Sequence, residues 1–400
     1  MLKTKKILFI ALPVIIAALA GACIFFSAPK EFSVAFYRID ERQRQGITDT
    51  LNKIANGKNI NVLYTTYNSE KSLKEQIPLA KKPSIIFTSG GFPLEEALDR
   101  AAKSAAIPME KAQGLTSSIQ SAIVSESGMI RALPILSSHL EVDIDLAEFN
   151  NSNTKYIVTW NDVEKFMREQ KRKKESPMVF AGGNADFLLD FIGAMAESID
   201  GVSSYREAAK ILQETKNPYK AAKLLCDEPD SPLATSIKQI KAWYKLGFIH
   251  PGAFSMQYND VEAFASSRLS SVLIMSLENH RAMAQKTISR FTSIYFPSDH
   301  AANERIFTGN LYYAIPMVKS EKGAQIMAEL ASTETQENLS RATGMAPVLA
   351  QCRVPDKQAN DARYWIACTE APLPGLSKEA YLSKKDKSDI AAELASRIKN

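Results

Sequence analysis

The feature that most constrains the fold is a unit that occurs twice: a continuous apolar run, a pair of glycines, and then a helical pattern. The first copy, PSIIFTSGG, begins at Pro83, and the second, SPMVFAGG, begins at Ser176. A continuous apolar run closed by glycine is typical of a parallel strand that is buried on both faces. Strands that alternate with helices predict an α/β fold with mainly parallel sheets. Because domains average about 150 residues, a chain of 400 residues predicts two of them.

Other segments continue this alternation. Glu31–Tyr37 (EFSVAFY) has the composition of a strand, and the pattern after it places Ile47 and Leu51 on one face of a helix. Near the other end, FTGNLYYAIP predicts a strand at 307–316, and a long helical stretch follows it and ends at Gly344. Ligands of α/β proteins bind at the carboxyl ends of such strands, so polar residues there are candidate binding residues.

The amino terminus has the pattern of an export signal. Three lysines in the first six residues precede an apolar run, and small residues end this run directly before Cys23. The pattern predicts a lipoprotein signal peptide over residues 1–22 and lipid on Cys23. The alternative is an uncleaved anchor, because the apolar run extended to Phe26 approaches the ~20 residues that span a bilayer. Both interpretations predict an exported, membrane-tethered protein, either periplasmic or at the cell surface.

The charge of the chain gives no argument for a nucleic-acid partner. The formal net charge is +5, but three of the positive charges lie in the signal and leave with it if it is cleaved. The basic run KRKK at Lys171–Lys174 follows a helical pattern, so we interpret it as a solvated helix end. No nucleic acid and no cofactor is therefore expected.

The cysteines near the carboxyl terminus leave two alternatives open. In an oxidising compartment Cys352 and Cys368 could form a disulfide. Otherwise they are two buried thiols. None of the four cysteines belongs to a close metal-binding pair such as C-x-x-C. Cys226 ends a helical pattern and is expected to be a buried apolar residue.

Motifs for catalysis or metal binding are absent from the sequence. It contains no P-loop, no G-x-G-x-x-G, no H-E-x-x-H and no G-x-S-x-G. The four histidines are scattered, and the sequence alone brings no set of metal ligands together. The chain is therefore expected to be neither an enzyme nor a metal protein.

Several segments follow one another in a characteristic order and spacing. In chain order they are PSIIFTSGG, MIRALPILSSHLEVDID, TWNDVEKF, IKAWYKLGFIHPG, DVEAFASSRLSSVLIMS, GNLYYAIPMVKSEKGAQIMAELAS and GMAPV. Taken together they resemble the family-1 extracellular solute-binding proteins of ABC importers, the maltose-binding-protein-like, sugar-binding type. The resemblance runs from about Phe32 to about Val348, which is most of the chain after the signal.

The resemblance implies a two-lobe periplasmic-binding-protein fold with a ligand cleft between the lobes, each lobe a mainly parallel sheet flanked by helices. The first lobe would comprise 23–136, with 306–341 returning to it, and the second 137–305, with 342–400 returning to it. The implied function is the substrate-binding component of an ABC importer. It would be a monomer that captures a small polar solute, expected to be a carbohydrate, and delivers it to a membrane permease. The alternative is a membrane-tethered sensor or adhesin that keeps the fold without transport.

The candidate cleft residues lie at strand ends, at glycine turns and at three crossings between the lobes. Their hydroxyl, amide and carboxylate groups can pair with ligand hydroxyls, and tyrosine can stack on a ligand ring. Hinges near 136–138, 305–310 and 342–345 are expected to close the lobes on the ligand. The predicted ligand-binding residues are Tyr37, Arg38, Ser89, Gly90, Gly91, Ser137, Ser138, Asn184, Asp186, Glu278, Asn279, Asn310, Tyr312 and Met345.

Overall fold

The computed structural model describes residues 32–78, 82–108, 110, 114–121, 123–301, 304, 307–354, 357–369 and 372–400. The expected signal peptide, the lipid site Cys23 and residues 305–306 of the second expected hinge lie outside the described residues. Within the described ranges, no helix is both long enough and apolar enough to cross a membrane.

Two principal sheets organise the chain. The strands are β1 (Phe32–Tyr37), β2 (Val62–Thr66), β3 (Ile85–Ser89), β4 (Ile107–Pro108), β5 (Val124–Glu126), β6 (Met129–Ser137), β7 (Leu140–Asp145), β8 (Met178–Phe180), β9 (Val272–Ser276), β10 (Phe291–Ile294), β11 (Phe307–Thr308), β12 (Leu311–Pro316), β13 (Ala346–Pro347) and β14 (Pro372–Leu373). The first sheet has the order β13-β6-β12-β3-β1-β2, with β4 and β5 also paired to β6. The second sheet has the order β10-β7-β9-β8, and β11 pairs separately with β14.

Helices cover both sheets. They are α1 (Glu41–Gly57), α2 (Leu73–Gln76), α3 (Phe92–Arg100), α4 (Ser117–Ser121), α5 (Leu146–Asn150), α6 (Trp160–Gln170), α7 (Ala185–Asp200), α8 (Val202–Glu214), α9 (Pro218–Cys226), α10 (Ala234–Lys245), α11 (Tyr258–Ser266), α12 (Leu277–His280), α13 (Gln285–Ile288), α14 (Glu321–Leu330), α15 (Thr333–Thr343), α16 (Lys357–Cys368) and α17 (Lys384–Lys399). In α1, the predicted apolar face is confirmed, because Ile47 and Leu51 are fully buried in the core of the first lobe. Each such side chain contributes roughly 1.5–3 kcal/mol through burial.

The expectation of mainly parallel sheets is wrong in detail, because both sheets are mixed. Strand β1 pairs in parallel with β2 and β3, whereas β12 is antiparallel to both of its neighbours, β3 and β6. In the second sheet only β8 and β9 pair in parallel. The physical reason is the path of the chain. Strand β6 leads out of the first lobe and β12 leads back into it, so the two must run in opposite directions.

These strand directions bring several strand ends to one place. Strands β1, β3 and β6 share one direction in the first sheet, and β8 and β9 share one direction in the second. Since β7 continues directly from β6 and runs antiparallel to β9, the carboxyl ends of β6, β8 and β9 meet between the sheets. Each sheet has its own apolar core, and the space between the two lobes receives the loops that follow these strands.

The carboxyl-terminal part of the chain belongs to both lobes. Strand β13 pairs with β6 in the first sheet, so the chain stays in the first lobe beyond residue 342, where it was expected to leave it. Helix α16 contacts α4 and β13 on one side and α12 and β10 on the other, and therefore bridges the lobes. Helix α17 packs on α7, α9 and α10 of the second lobe.

The two cysteines that flank α16 are free thiols in the structure, as is Cys226. The carbonyl of Cys352 accepts a hydrogen bond from Arg363 Nη1 over 2.6 Å, beside the middle of α16, whereas Cys368 is the last residue of that helix. Five residues of helix separate Arg363 from Cys368, which is a rise of about 7.5 Å. The structure therefore favours the alternative of two thiols, but only Cys352 is buried as expected, whereas Cys368 and also Cys226 are half-buried because both stand at helix ends.

Candidate functional site

The two lobes enclose a polar cleft of about 350 Å³. An adjoining recess of about 460 Å³ continues from it and shares Asp40, Asn184, Asp186 and Lys378 with it. The residues that line the cleft are Asp40, Glu41, Arg42, Gln43, Ser138, His139, Leu140, Asn184, Asp186, Phe187, Asp190, Tyr258, Ser276, Glu278, Asn279, Gly309, Asn310, Gly375 and Lys378.

The first lobe presents the amino terminus of helix α1 to the cleft. Asp40 is the N-cap residue of this helix, and its side chain makes no capping hydrogen bond. The first N–H groups of a helix have no partner within the helix and carry partial positive charge. This wall therefore offers hydrogen-bond donors to a ligand oxygen, beside the carboxylates of Asp40 and Glu41.

The second lobe presents the amino terminus of helix α7, and its first turn carries an ion cluster. The Asp186 carboxylate lies 2.9 Å from Lys387 Nζ and 3.3 Å from Lys378 Nζ. Burial alone would raise the pKa of Asp186, but the two ammonium groups outweigh it and hold the pKa well below its usual range. The side chain keeps 41% exposure, so this ionised carboxylate can still accept a hydrogen bond from a ligand.

Asn184 and two aromatic rings complete this wall. The Asn184 side chain caps α7 by accepting a hydrogen bond from the Phe187 N–H over 3.0 Å, which leaves its amide nitrogen as a donor. The rings of Phe187 and Tyr258 meet edge to face, with centroids 6.1 Å apart. The wall therefore combines polar groups with apolar ring surface.

Asp190 lies one turn further along α7, against the carboxyl-terminal segment of the chain. Its carboxylate accepts a hydrogen bond from the Ser377 N–H over 2.8 Å. A Cβ atom at Gly375 would stand only 2.3 Å from the Asp190 carboxyl carbon, so only glycine permits this approach. Burial raises the pKa of Asp190 to about 6.

The floor of the cleft is formed where the chain crosses between the lobes. The Ser138 hydroxyl donates to the carboxylate of Glu278, and the Ser138 N–H donates to the Asn310 carbonyl over 2.8 Å. Burial raises the pKa of Glu278 above its usual value, although the Ser138 hydrogen bond opposes this. The side-chain oxygen of Asn310 is buried and has no hydrogen-bond partner among the described residues. Leaving such an atom unsatisfied costs roughly 1–3 kcal/mol, so a ligand donor at this position would be favoured.

The structure brings half of the predicted site residues to the cleft or to its recess. Arg38 lines the recess, with its guanidinium 5.0 Å from the centroid of the Tyr381 ring. The predicted residues that line the cleft itself are Ser138, Asn184, Asp186, Glu278, Asn279 and Asn310. Whether they contact a ligand stays a prediction.

The other predicted residues lie behind the walls of the cleft. The Tyr37 hydroxyl donates to the Glu96 carboxylate over 2.5 Å, inside the first lobe. Ser89 and Tyr312 are cross-strand partners of β3 and β12, and both side chains are buried. Ser137 is buried in β6, where its hydroxyl donates to the Ala346 carbonyl over 3.4 Å.

The backbone of the remaining predicted residues holds neighbouring segments together. Gly90 donates its N–H to the Leu311 carbonyl over 2.8 Å. Gly91 has φ +75°, and a Cβ there would stand 2.3 Å from the carbonyl oxygen of Lys378. Met345 is buried, and its carbonyl accepts a hydrogen bond from Arg281 over 3.1 Å.

Sequence reasoning missed thirteen of the nineteen residues that line the cleft, and three of them show why. Asp40 follows β1 and opens α1, so the same strand-end rule that selected Arg38 could have selected it. Tyr258, the first residue of α11, carried no such signal. Lys378 lies 192 residues from Asp186 in sequence, and no local pattern pairs residues at that separation.

Comparisons with other proteins give structural matches and no sequence match. No protein-family model matches the chain, and no curated protein matches it. The bacterial solute receptor AcbH, described with an exclusive preference for β-D-galactopyranose, matches with a TM-score of 0.65 at 11% identity, covering 92% of this chain and 99% of AcbH. A chitin oligosaccharide binding protein matches with a TM-score of 0.65 at 15% identity, covering 92% of this chain and 95% of the other. RafE in complex with raffinose matches with a TM-score of 0.62 at 15% identity, covering 92% of this chain and 98% of RafE.

These matches extend over almost the whole length of both partners, so they concern the complete two-lobe arrangement. The chain therefore has the two-lobe α/β fold of the bacterial solute-binding proteins.

Proposed function

We propose that this protein is the substrate-binding component of an ABC importer and captures a carbohydrate between its two lobes. The polar interlobe cleft supports this most strongly, because three groups line it: the Asn310 side-chain oxygen, which has no partner among the described residues, the ionised Asp186 and the Glu278 carboxyl group. Solute receptors of the same fold bind galactopyranose, raffinose and chitin oligosaccharide by their descriptions. This supports a binding protein rather than an enzyme.

The chemistry of the walls suits a neutral polyol. Carboxylate and amide oxygens accept hydrogen bonds from sugar hydroxyls, and the Asn184 amide and the start of α1 can donate them. Aromatic faces such as those of Tyr258 and Phe187 pack against the apolar face of a sugar ring. An anionic solute would meet the carboxyl groups of Asp40, Glu41 and Glu278. It is disfavoured because the two cations of the lining are already engaged, Arg42 with the Glu278 carbonyl and Lys378 with Asp186.

The same proposal includes export and delivery. Lipid on Cys23 would tether the monomeric protein to a membrane, and the closed, loaded form would be presented to a membrane permease. Closure about the crossings between the lobes would remove the solute from water, which strengthens each polar contact around it. The signal pattern at the amino terminus and the two-lobe fold support this part of the proposal.

A thermal-shift screen of the purified protein tests the proposal. A ligand that binds only the folded state raises the free energy of unfolding by about 2.7 kcal/mol when its concentration is a hundredfold above Kd. We expect galactose, raffinose, stachyose or chitin oligosaccharides to raise the melting temperature, and amino acids and dicarboxylic acids to leave it unchanged. A polyamine or amino acid that stabilises the protein while every sugar fails would overturn the carbohydrate assignment.

A further inference from the structure

A second cluster of polar side chains lies inside the second lobe, on the face of the second sheet that helix α16 covers. Glu141 and Asp143 are two residues apart on β7, so their side chains lie on the same face. Ser293 on β10 is the cross-strand partner of Asp143, and His280 ends helix α12. The side chains of Glu141, Asp143 and His280 have no exposed area, and Ser293 is 5% exposed.

Four atoms of this cluster converge on one point. His280 Nδ1 lies 2.9 Å from Glu141 Oε2 and 3.1 Å from Asp143 Oδ1. The Ser293 hydroxyl oxygen lies 2.6 Å from Asp143 Oδ1, 3.0 Å from Glu141 Oε2 and 3.3 Å from His280 Nδ1. With both carboxylates ionised, only the Nδ1 proton and the hydroxyl proton are available for these contacts, so lone pairs face one another across the centre.

The second oxygen of each carboxylate, which points away from the centre, also lacks a hydrogen-bond donor among the described residues. Asp143 Oδ2 makes no hydrogen bond with any described residue. Glu141 Oε1 also makes no hydrogen bond within the described part of the chain. It lies 3.6 Å from His139 Nε2. The centre of the cluster therefore favours positive charge.

We propose that Glu141, Asp143 and His280 bind a divalent transition-metal ion of the zinc or manganese class, with the Ser293 hydroxyl beside it. Ligand atoms at the usual 2.0–2.1 Å from such an ion stand roughly 3 Å apart, as these atoms do. Two carboxylates and one neutral imidazole balance the charge of a divalent ion. An imidazole ligand favours a transition metal over calcium or magnesium.

The ion would join strand β7, helix α12 and strand β10 of the second lobe, beneath helix α16, which bridges the lobes. Trp365 of α16 packs edge to face on His139, with ring centroids 4.9 Å apart, and thereby closes this face of the sheet to solvent. Neither the ligand set nor this cover includes the carboxylates of the solute cleft. The three ligands are therefore separate from the residues that line the solute cleft, although His139 of the cover also lines that cleft.

The test begins with the full-length protein, purified without a chelator and without a polyhistidine tag. Elemental analysis by mass spectrometry should find about one equivalent of zinc or manganese per chain. After removal of the metal, ZnCl₂ or MnCl₂ at a small molar excess should restore the melting temperature, and MgCl₂ at the same concentration should not. Wild-type protein that contains no metal and is not stabilised by any of these ions would overturn the proposal and leave a proton-sharing network instead.

Isosteric variants locate the ion. Asp143→Asn and Glu141→Gln keep the side-chain volume and should each lose the metal and the metal-dependent rise in melting temperature. Asp145→Asn is the matched control, because Asp145 is a buried acid on the same strand that already pairs with Arg290 over 2.7 Å. It should retain one equivalent of metal. Full metal content in the Glu141→Gln/Asp143→Asn double variant would place the ion elsewhere and overturn the assignment, whatever the stability of the single variants.

Discussion

Arg42 Nη1 donates a hydrogen bond to the backbone carbonyl of Glu278 over 2.7 Å, and this contact joins the first helix of one lobe to the short helix α12 of the other. Arg42 is the second residue of α1, and Glu278 follows the carboxyl end of β9. The contact crosses the cleft without using the side chain of Glu278, which remains directed to Ser138. The contact therefore links the two lobes without occupying the carboxyl group of Glu278.

Arg42→Ala should weaken solute binding by loosening the closed form. A hydrogen bond of this kind contributes about 0.5–1.5 kcal/mol, so we expect roughly a 3- to 10-fold loss of affinity with little change in melting temperature. Arg44→Ala is the control, since Arg44 is on the same helix and bonds only with Glu41 and Thr66 of its own lobe in the described structure. Titration calorimetry on both variants checks the prediction, and equal affinities for the two would contradict it.

Gly309→Pro should hinder closure at the second crossing. The Gly309 N–H donates to the Leu373 carbonyl over 3.0 Å, and proline removes this donor and fixes φ. We expect weaker solute affinity and a nearly unchanged circular dichroism spectrum. Gly309→Ala retains the N–H and serves as the control. A proline variant that binds as tightly as the alanine variant would argue against a hinge at this residue.

Asp190→Asn should change how stability depends on pH. Burial raises the pKa of Asp190 from 3.8 to about 6 in the folded state, with Lys378, Asp186 and the Ser377 N–H facing the carboxyl group. The folded state therefore binds this proton more tightly, and its contribution to stability is present below about pH 4 and is lost as the pH rises through about 6. Relative to wild type, the variant should gain at most about 3 kcal/mol between pH 4 and pH 7. Urea unfolding across this range is the measurement, and a constant difference between the two proteins would count against it.

Cys23→Ala should abolish lipid attachment. The small residues before Cys23 and the charged, apolar leader motivate this prediction. In the native host the variant should lose the mass of the lipid on its amino-terminal peptide. It should also no longer be retained as a lipoprotein. Unchanged processing and unchanged membrane partition would favour the uncleaved anchor.

Local patterns predicted the elements that have a continuous apolar run or a regular apolar period. The strand, glycine and helix units became β3 with α3 and β8 with α7. The end of the long helical stretch at Gly344 is confirmed, because this residue is the C-cap with φ +79°. The same stretch is nevertheless two helices, since Ser332 caps a second helix by accepting a hydrogen bond from the Thr335 N–H. A serine inside an amphipathic pattern can be an interior helix residue or the N-cap of a new helix, and the local sequence does not distinguish the two.

Relationships between distant segments could not be predicted in this way. The direction of β12 depends on the lobe from which the chain arrives, and not on the residues of the strand. Glu141, Asp143 and His280 are single polar residues in three apolar contexts, and only the sheet register and the position of α12 bring them together. The pairing of Asp186 with Lys378 depends likewise on how the carboxyl-terminal segment packs against α7.

Asn310 is the residue at which capture of a carbohydrate in the interlobe cleft can be checked by a single substitution. Its side-chain oxygen is buried at the cleft floor without a partner in the described part of the chain, so a bound sugar hydroxyl should supply one. Asn52→Ala is the control, because Asn52 is exposed on the far part of α1 and bonds with Tyr64 over 2.8 Å.

The measurement is isothermal titration calorimetry of wild type, Asn310→Ala and Asn52→Ala with each sugar that stabilises the protein in the screen. We expect one sugar per wild-type chain, unchanged binding by Asn52→Ala, and affinity about tenfold weaker in Asn310→Ala, which corresponds to one lost hydrogen bond. Binding of equal strength by Asn310→Ala and wild type, or no heat of binding with any sugar, would contradict it.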